Sequence, residues 1–254
     1  FKEILQMVVE EVAIDTDSLG TFSGEIERVG SAKETALRKA RLGMEASGSS
    51  RGLASEGSIG PDFFIPFIQS DVEVLAFIDD ELGIELVESY RSTEITAHTI
   101  TIDSAVDLSE FLKKADFPHH KLIVRSSERP ISFCRKGIAT EESLQSAITE
   151  GLRQVPSLVI ESDLRAHCSP SRGKNIAAAA EKLARRLREL CPECAAPGWG
   201  VVGYEKGLAC AECGEISEDA LKSEILGCTR CSFKQEGKTL AEVIDPSRCN
   251  LSNP

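Results

Sequence analysis

The sequence predicts an α/β body with a mixed sheet, followed by a small C-terminal zinc-ribbon module. Segments with apolar residues at helical spacing alternate along the chain with short apolar runs of strand length. After residue 190 this alternation stops, and cysteines appear in closely spaced pairs. We therefore predict two domains, the body over residues 1–190 and the zinc module over residues 191–254.

The composition excludes several classes of protein. Only 41% of the 254 residues are hydrophobic, and no apolar run approaches the ~20 residues that cross a bilayer, so we expect no membrane association. The formal net charge of −12 argues against nucleic-acid binding, because phosphates need clustered Lys and Arg. The tail from Cys191 to Pro254 has 6 Lys and Arg against 10 Asp and Glu, so it is acidic too. Paired thiols with metal spacing are typical of a reducing compartment, and we expect a cytoplasmic protein.

The N-terminal part of the body begins with a helix and a strand. Phe1, Leu5 and Val8 share one helical face within residues 1–10, which predicts a helix there. A short strand is expected next, at residues 11–14. The polar, glycine-containing stretch over residues 15–30 is typical of a loop or a loose hairpin.

A second helix has clear start and stop signals. Ser31 with Glu34 three residues later forms a capping box, and the helix is expected to end at Gly48. A short strand over residues 52–55 should follow and end in the turn at residues 56–58, since Glu-Gly-Ser is a turn-forming sequence.

The rest of the body repeats this alternation. The last helix has apolar residues stepping by three and four, with a basic opposite face that we interpret as solvated. Further strands are predicted at residues 72–78, 94–102, 122–125, 131–134 and 157–160, and further helices at residues 108–115, 140–154 and 174–190.

The tail cysteines have the spacing of zinc ligands. Two C-x-x-C pairs separated by 15–20 residues are typical of a four-cysteine zinc ribbon, in which each tight turn points two sulfurs at one ion. Such a closed site is structural and performs no chemistry. The seven candidate ligands are Cys191, Cys194, Cys210, Cys213, Cys228, Cys231 and Cys249.

Seven cysteines leave one of two sites incomplete. The simplest pairing joins the first two C-x-x-C pairs in a complete site and leaves Cys228, Cys231 and Cys249 in a second one. Ser252 occupies the place where a fourth cysteine would be expected, and a serine hydroxyl is a poor zinc ligand. Interleaved pairing between the two sites is equally compatible with the spacing. We also expect that the module could bind a protein partner.

Several segments resemble a bacterial family whose domain has no assigned function. They are Lys2 with Glu3, DTDSLGTFSGEIERVGSAKETALRKARLGMEASG, LASEGSIGP, VIESDLRAHCSPSR and the cysteine-rich tail with its closing Asn-Pro. The resemblance covers nearly the whole chain. It implies a strand upstream of Phe1, and it departs at Ser252, where the family would have cysteine.

The body also resembles the inosine-triphosphate pyrophosphatase-like superfamily. Three motifs occur in the same order as in that superfamily: ETALRKAR from Glu34, SEGS from Ser55 and SPSRGK from Ser169. The resemblance implies the fold of that superfamily and a magnesium-dependent hydrolase that cleaves nucleoside triphosphates to release pyrophosphate. The chain lacks the histidine that many relatives have between Ser171 and Arg172.

This resemblance implies roles for six residues. Glu34 and Glu56 would hold the magnesium ion in one cleft, and Asp163 would orient the attacking water. Lys2, Arg172 and Lys174 would neutralise the phosphates of the nucleotide.

Several of these residues also have a structural interpretation. Glu34 completes a capping box, Glu56 could lie in a solvated turn, and Asp163 could cap a turn. Lys39, Arg41 and Arg172 could be surface charges. His119 and His120 are expected in an exposed turn. The sequence thus leaves three functions open: a nucleotide pyrophosphatase-like enzyme, a non-catalytic nucleotide sensor, and a zinc-ribbon adaptor.

Overall fold

The computed structural model describes residues 1–16, 19 and 30–253, and its chain divides into two compact units. Unit 1 consists of Phe1–Val9, Ile78–Leu86 and Leu183–Pro254, and unit 2 of Glu10–Phe77 and Val87–Lys182. The predicted domain boundary between residues 190 and 191 stays a prediction.

The first layer of unit 2 is a helix on a three-stranded sheet. Helix α2 (Ala32–Ser47) precedes β1 (Arg51–Pro61), β2 (Gln69–Asp79) and β3 (Ile84–Ser92), which lie side by side in that order. Their connections are too short for parallel crossovers, so neighbours run antiparallel. Ala36 of α2 packs on Val74 and Ala76 of β2. As predicted, the helix begins at the capping box between Ser31 and Glu34 and ends at Gly48, which has a left-handed backbone.

A second sheet of unit 2 carries its largest apolar core. Four strands lie in the order β4-β7-β5-β6, with antiparallel pairing throughout. The even-numbered side chains of the central strands, such as Leu122, Val124 and Ile160, form the core with Leu144 and Ile148 of a helix. The elements are β4 (Thr99–Ile102), α3 (Ser109–Lys114), β5 (Leu122–Ser126), β6 (Cys134–Ile138), α4 (Glu141–Leu152), β7 (Leu158–Ser162) and α5 (Pro170–Arg188).

Unit 1 contains a three-stranded antiparallel sheet and the tail cysteines. Its strands β8 (Gly200–Ala209), β9 (Ile216–Gly227) and β10 (Lys234–Thr239) form a meander with β9 in the centre. Trp199 stacks on Phe233, and a small apolar cluster forms around Leu208. A four-residue helix, α1 (Lys2–Leu5), also belongs to this unit.

The fold differs from the expectation in several places. The body has two sheets rather than a single mixed one, and the strand predicted at residues 11–14 is irregular chain. The helix expected over residues 1–10 is only α1, and β3 has no counterpart in the predicted elements. Most of the predicted loop at 15–30 lies outside the described residues. The resemblance to the pyrophosphatase-like fold stays a prediction.

Two elements differ in extent from the prediction, and both contain predicted site residues. The strand expected to end at Ser55 continues as β1 through Pro61, so Glu56 lies in mid-strand and is buried, not in a turn. Helix α5 begins at Pro170 instead of residue 174, which places Arg172 and Lys174 inside the helix. None of the described helices is both long enough and apolar enough to cross a bilayer.

Candidate functional site

Six of the tail cysteines lie in three tight turns of similar build. In the first, the Cys191 amide donates to Ala196 O at 2.9 Å, and the Ala195 amide donates to Cys191 O at 2.8 Å. The chain can close this way because Ala195 adopts a left-handed backbone with φ 55°. The corresponding residue of the second turn is Gly214, with φ 74°, where the left-handed backbone carries no side-chain penalty.

The first and third turns meet in a four-sulfur cluster, which we call centre 1. The Sγ atoms of Cys191 and Cys231 are 3.8 Å apart, and those of Cys194 and Cys228 are 3.5 Å apart. Four sulfurs around zinc at ~2.3 Å in a tetrahedron lie about 3.8 Å from one another. A disulfide would need about 2.05 Å, and all nine cysteines are free thiols. Centre 1 could therefore hold a zinc ion with four thiolates.

The second turn meets the C-terminal segment in a three-sulfur cluster, which we call centre 2. It contains Cys210, Cys213 and Cys249, and the Sγ atoms of Cys213 and Cys249 are 3.7 Å apart. Ser252 Oγ lies 3.5 Å from Cys210 Sγ, so a hydroxyl lies beside the three sulfurs. This cluster could also hold a zinc ion, with three thiolates and a weaker oxygen ligand.

The pairing of the turns differs from the simplest interpretation of the spacing. The interleaved alternative is the one observed, because the Cys191 turn meets the Cys228 turn and not the Cys210 turn. The reason lies in the β8-β9 hairpin, whose register pairs Gly200 with Gly227 and so brings the chain just before β8 beside the chain just after β9. The three-cysteine cluster is therefore Cys210, Cys213 and Cys249, with Ser252 beside it, and not the predicted set of Cys228, Cys231 and Cys249.

Amide hydrogen bonds favour thiolates in both centres. Burial alone would raise the pKa of Cys228, but the amides of Cys231 and Arg230, at 3.3 and 3.2 Å from its sulfur, help to lower that pKa to about 6. The amide of Cys213 and the hydroxyl of Ser252 lower the pKa of Cys210 to about 6 as well. A lowered thiol pKa favours metal binding near neutral pH, since the thiolate is the ligand.

The pKa of Cys231, which also belongs to centre 1, shifts in the opposite direction. The Phe233 amide favours its thiolate, but burial and hydrogen bonds with the neighbouring sulfurs raise the pKa of Cys231 to about 12. Crowding four sulfurs together thus holds a proton in the absence of a cation. A divalent ion removes that conflict by supplying positive charge at the centre.

The two glutamates predicted to bind magnesium have other partners. Glu34 accepts from the Ser31 amide at 2.7 Å, and this bond lowers the pKa of the exposed Glu34 carboxyl. Glu56 accepts from Lys39 Nζ at 2.6 Å, across from α2. The capping interpretation of Glu34 is therefore observed, whereas the interpretation of Glu56 as a solvated turn residue is wrong.

Arg172 joins a buried polar network in unit 2. Its Nε donates to Glu73 Oε1 at 2.5 Å and its Nη1 to Leu164 O at 2.7 Å. A side chain at Gly57 would collide with this ion pair, because a Cβ there would lie 2.6 Å from Arg172 Nη2. Successive strand residues point to opposite faces, so Glu56 and the Arg172 pair lie on opposite faces of the sheet. The surface-charge interpretation of Arg172 is also wrong, since its side chain is buried.

Asp71 extends this network, and the sequence analysis missed it. Its Oδ2 accepts from Asn175 Nδ2 at 2.9 Å, and its buried Oδ1 has no hydrogen-bond donor among the described residues. Burial raises the pKa of both Asp71 and Glu73, against the opposing effects of Asn175 and Arg172. The two carboxyl groups therefore retain a proton at pH values where exposed carboxyls are ionised. The alternation of Asp71 and Glu73 along an otherwise apolar strand was the available signal.

Three further residues of the predicted nucleotide site have different surroundings. Asp163 is buried and accepts from the Arg165 side chain at 2.6 Å and from the Gly137 amide at 2.9 Å; burial alone would raise its pKa, but these bonds lower it. Lys174 is exposed on α5. Lys2 is exposed on α1 in unit 1, whereas the other five predicted residues belong to unit 2.

One histidine is more structured than expected. His119 is exposed, as predicted for a turn, but His120 is buried. His120 Nε2 accepts from the Ser171 amide at 3.1 Å, so the proton of the neutral ring is on Nδ1, which lies 3.0 Å from Asp116 Oδ2. His120 thus anchors the start of α5 beside Arg172, at the place where the sequence lacks the histidine of the pyrophosphatase motif.

Comparison with known families gives one match. The model of a family described as Domain of unknown function (DUF6671) matches residues 39–254. The matched range includes both cysteine centres and the Glu73–Arg172 network, and it begins after Lys2 and Glu34. No curated protein and no solved structure matches the chain.

Proposed function

This chain belongs to the DUF6671 family of domains of unknown function, and we propose that it is a two-zinc protein with one structural and one labile centre. Centre 1 binds the structural ion through four thiolates. Centre 2 binds the second ion through three thiolates and either Ser252 or water. The observation that carries the proposal is the sulfur spacing of 3.5–3.8 Å, which suits four ligands of one tetrahedral ion.

The small apolar content of the cysteine-rich tail supports a structural role for the metal. Its sheet exposes Val202, Tyr204 and Ile216, and the buried apolar side chains of its described part, from residue 191 on, are Ala196, Leu208 and Ile244 beside the cysteines. Segments of this size rarely fold on such a core alone, and metal binding then provides the missing free energy of folding.

Cobalt substitution tests the ligand sets directly. The reduced full chain should bind two zinc ions, and Co(II) in centre 1 should give the intense charge-transfer absorption of four thiolates. Cys194→Ser and Cys228→Ser should weaken the same band, whereas Cys213→Ser and Cys249→Ser should weaken the other one. If Cys194→Ser and Cys213→Ser acted on the same ion, the interleaved assignment would be wrong. Substoichiometric zinc in a stably folded chain would exclude the structural role.

A second candidate function is nucleotide hydrolysis in unit 2. One observation favours it: the Oδ1 atom of Asp71 is buried beside Glu73 without a donor, an arrangement that either a proton or a divalent cation would satisfy. Arg172 and Lys174, to which the resemblance gives a phosphate-binding role, lie near the start of α5. Magnesium and a nucleoside triphosphate are the ligands that this candidate requires.

A panel of nucleoside triphosphates with magnesium separates the remaining alternatives. The enzyme should release pyrophosphate in a magnesium-dependent reaction that Asp71→Asn abolishes. Binding without turnover would instead support the nucleotide sensor. If the chain neither binds nor hydrolyses nucleotides, the zinc-ribbon adaptor is the remaining alternative, and a protein partner of unit 1 should then be sought.

A further inference from the structure

The connection between β1 and β2 carries the most exposed apolar side chains of unit 2. Phe63, Phe64 and Phe67 are 88%, 74% and 95% exposed, and Ile65 and Ile68 are exposed beside them. We call residues 62–68 the phenylalanine loop. Large aromatic side chains are normally buried, and a contiguous exposed group of them marks an interaction surface.

Hydrogen bonds define the backbone of the loop. Asp62 is buried, and its Oδ1 accepts from the amides of Phe64 and Ile65 at 2.9 Å each. The loop closes on itself where the Asp62 amide donates to Ile68 O at 2.8 Å. A backbone that is already ordered loses little conformational entropy on binding, which reduces the cost of forming an interface.

The charge of the loop is neutralised internally. Arg91 forms an ion pair with Asp62, and its guanidinium lies 5.4 Å from the centre of the Phe64 ring. Burial alone would raise the pKa of Asp62, but the hydrogen bonds from Arg91, Ile65 and Phe64 lower it to about 2. The exposed tip is thus apolar and carries no uncompensated charge at neutral pH.

From this geometry we propose that the phenylalanine loop is a dimerisation surface that binds the same loop of a second copy of the chain. With ~200 Å² for each ring, the three phenylalanines expose roughly 500 Å², and the two isoleucines raise this to roughly 650 Å². Two copies related by a twofold axis would bury roughly 1,300 Å², which is within the range of specific interfaces. Because an apolar patch can pack against an identical patch, no other surface of the chain is required for this contact.

The charge distribution favours a second copy over a lipid surface. The chain has a net charge of −12, which opposes binding to anionic membranes, and Arg91 is the basic side chain that contacts the loop. Two copies also repel each other through their net charges. Added salt should therefore strengthen the dimer, because it screens this repulsion while the apolar contact remains.

Sedimentation equilibrium of the reduced, zinc-loaded full chain tests the proposal. We expect a monomer–dimer equilibrium with a micromolar or lower Kd that tightens as sodium chloride increases. The double variant Phe63→Ser and Phe67→Ser should weaken dimerisation by about 100-fold or more, since both rings lose an apolar partner. The matched control Val106→Ser removes an exposed apolar side chain elsewhere in unit 2 and should leave the Kd within about threefold. Both variants should keep the parent circular dichroism spectrum, because the changed side chains are exposed.

A photo-cross-linking amino acid at Phe63 identifies the contact itself. The cross-linked peptide should come from residues 61–69 of the second copy. The proposal would be overturned by a chain that stays monomeric at about 100 μM. It would also be overturned by a dimer that the double variant leaves intact, or by cross-links that map to other residues. Binding of the monomer to anionic or neutral vesicles through Phe63 would also overturn it, in favour of a lipid surface.

Discussion

The cysteine centres of unit 1 and the carboxyl network of unit 2 bring negative groups together in different ways. In unit 1, up to four thiols converge, and a bound ion could supply the positive charge that their thiolates need. In unit 2, Glu73, Asp62 and Asp163 each bind an arginine of the same unit. Unit 1 should therefore respond to chelators, whereas unit 2 should respond to pH and to single charge changes.

Removal of one thiolate from centre 1 should have the largest effect. Cys228→Ser deletes the sulfur that accepts two amide hydrogen bonds, and zinc contributes on the order of 10 kcal/mol in small structural sites. We expect β8, β9 and β10 to lose amide protection in hydrogen exchange, while unit 2 keeps its protection. Cys134→Ser, outside both centres, is the control. Equal loss of protection in both units would contradict the separation of the two regions.

The corresponding change in unit 2 should be smaller. Glu73→Gln leaves the buried Arg172 without its counter-charge and should lower the free energy of unfolding by about 3 kcal/mol. Urea denaturation followed by far-UV circular dichroism measures it, with zinc retained. Glu110→Gln changes an exposed glutamate and should have an effect below about 0.5 kcal/mol. If both variants behaved alike, the buried pair would have no special role.

The difference between the two centres is itself testable. Ser252→Cys supplies a fourth thiolate beside Cys210 and should slow zinc release from centre 2 to a chelator by about tenfold or more. Ser252→Ala should accelerate release if the hydroxyl is a ligand. Release is followed with a colorimetric zinc indicator, and the slower phase from centre 1 should not change. Unchanged release in both variants would place residue 252 away from the metal.

The smallest expected effect is a stabilisation. Asp71→Asn keeps an acceptor for Asn175 and gives Glu73 an amide donor, so it should raise stability at neutral pH by about 1 kcal/mol. The pKa values of Asp71 and Glu73 are raised by folding from ordinary values of 3.8 and 4.5. Stability from this pair is full below those values and is lost as the pH rises through them towards the folded-state pKa. Unfolding measured from pH 4 to 8 should show a shallower decline in the variant than in the parent. Destabilisation by Asp71→Asn would mean that the pair is ionised or binds a cation.

Local signals in the sequence predicted local structure well. The capping box at Ser31 identified the start of α2, because a cap depends on residues three positions apart. Cysteine spacing predicted metal ligands, but it could not decide the pairing, since the intervals between the turns are nearly equal. The register of β8 and β9 determines the pairing, and it involves residues far apart in sequence.

The predicted nucleotide residues show the same limit. Ser55 to Ser58 has the composition of a turn, yet it is part of β1 because Glu56 finds Lys39 on α2 and Gly57 makes room for Arg172. Both contacts bring together residues from separate elements, and a motif comparison cannot detect them. The magnesium-binding roles of Glu34 and Glu56 and the phosphate-binding roles of Lys2, Arg172 and Lys174 stay predictions.

The interleaving of the cysteines has a consequence for biosynthesis. The first four tail cysteines to leave the ribosome are Cys191, Cys194, Cys210 and Cys213, and in the folded protein they belong to two different clusters. Their spacing suits a single zinc, so an ion captured during translation would be held by the wrong set until the Cys228 turn emerges and displaces the Cys210 turn. If both clusters bind zinc as proposed, correct assembly requires ligand exchange at zinc, and the supply of free metal during synthesis should influence the yield of the native fold.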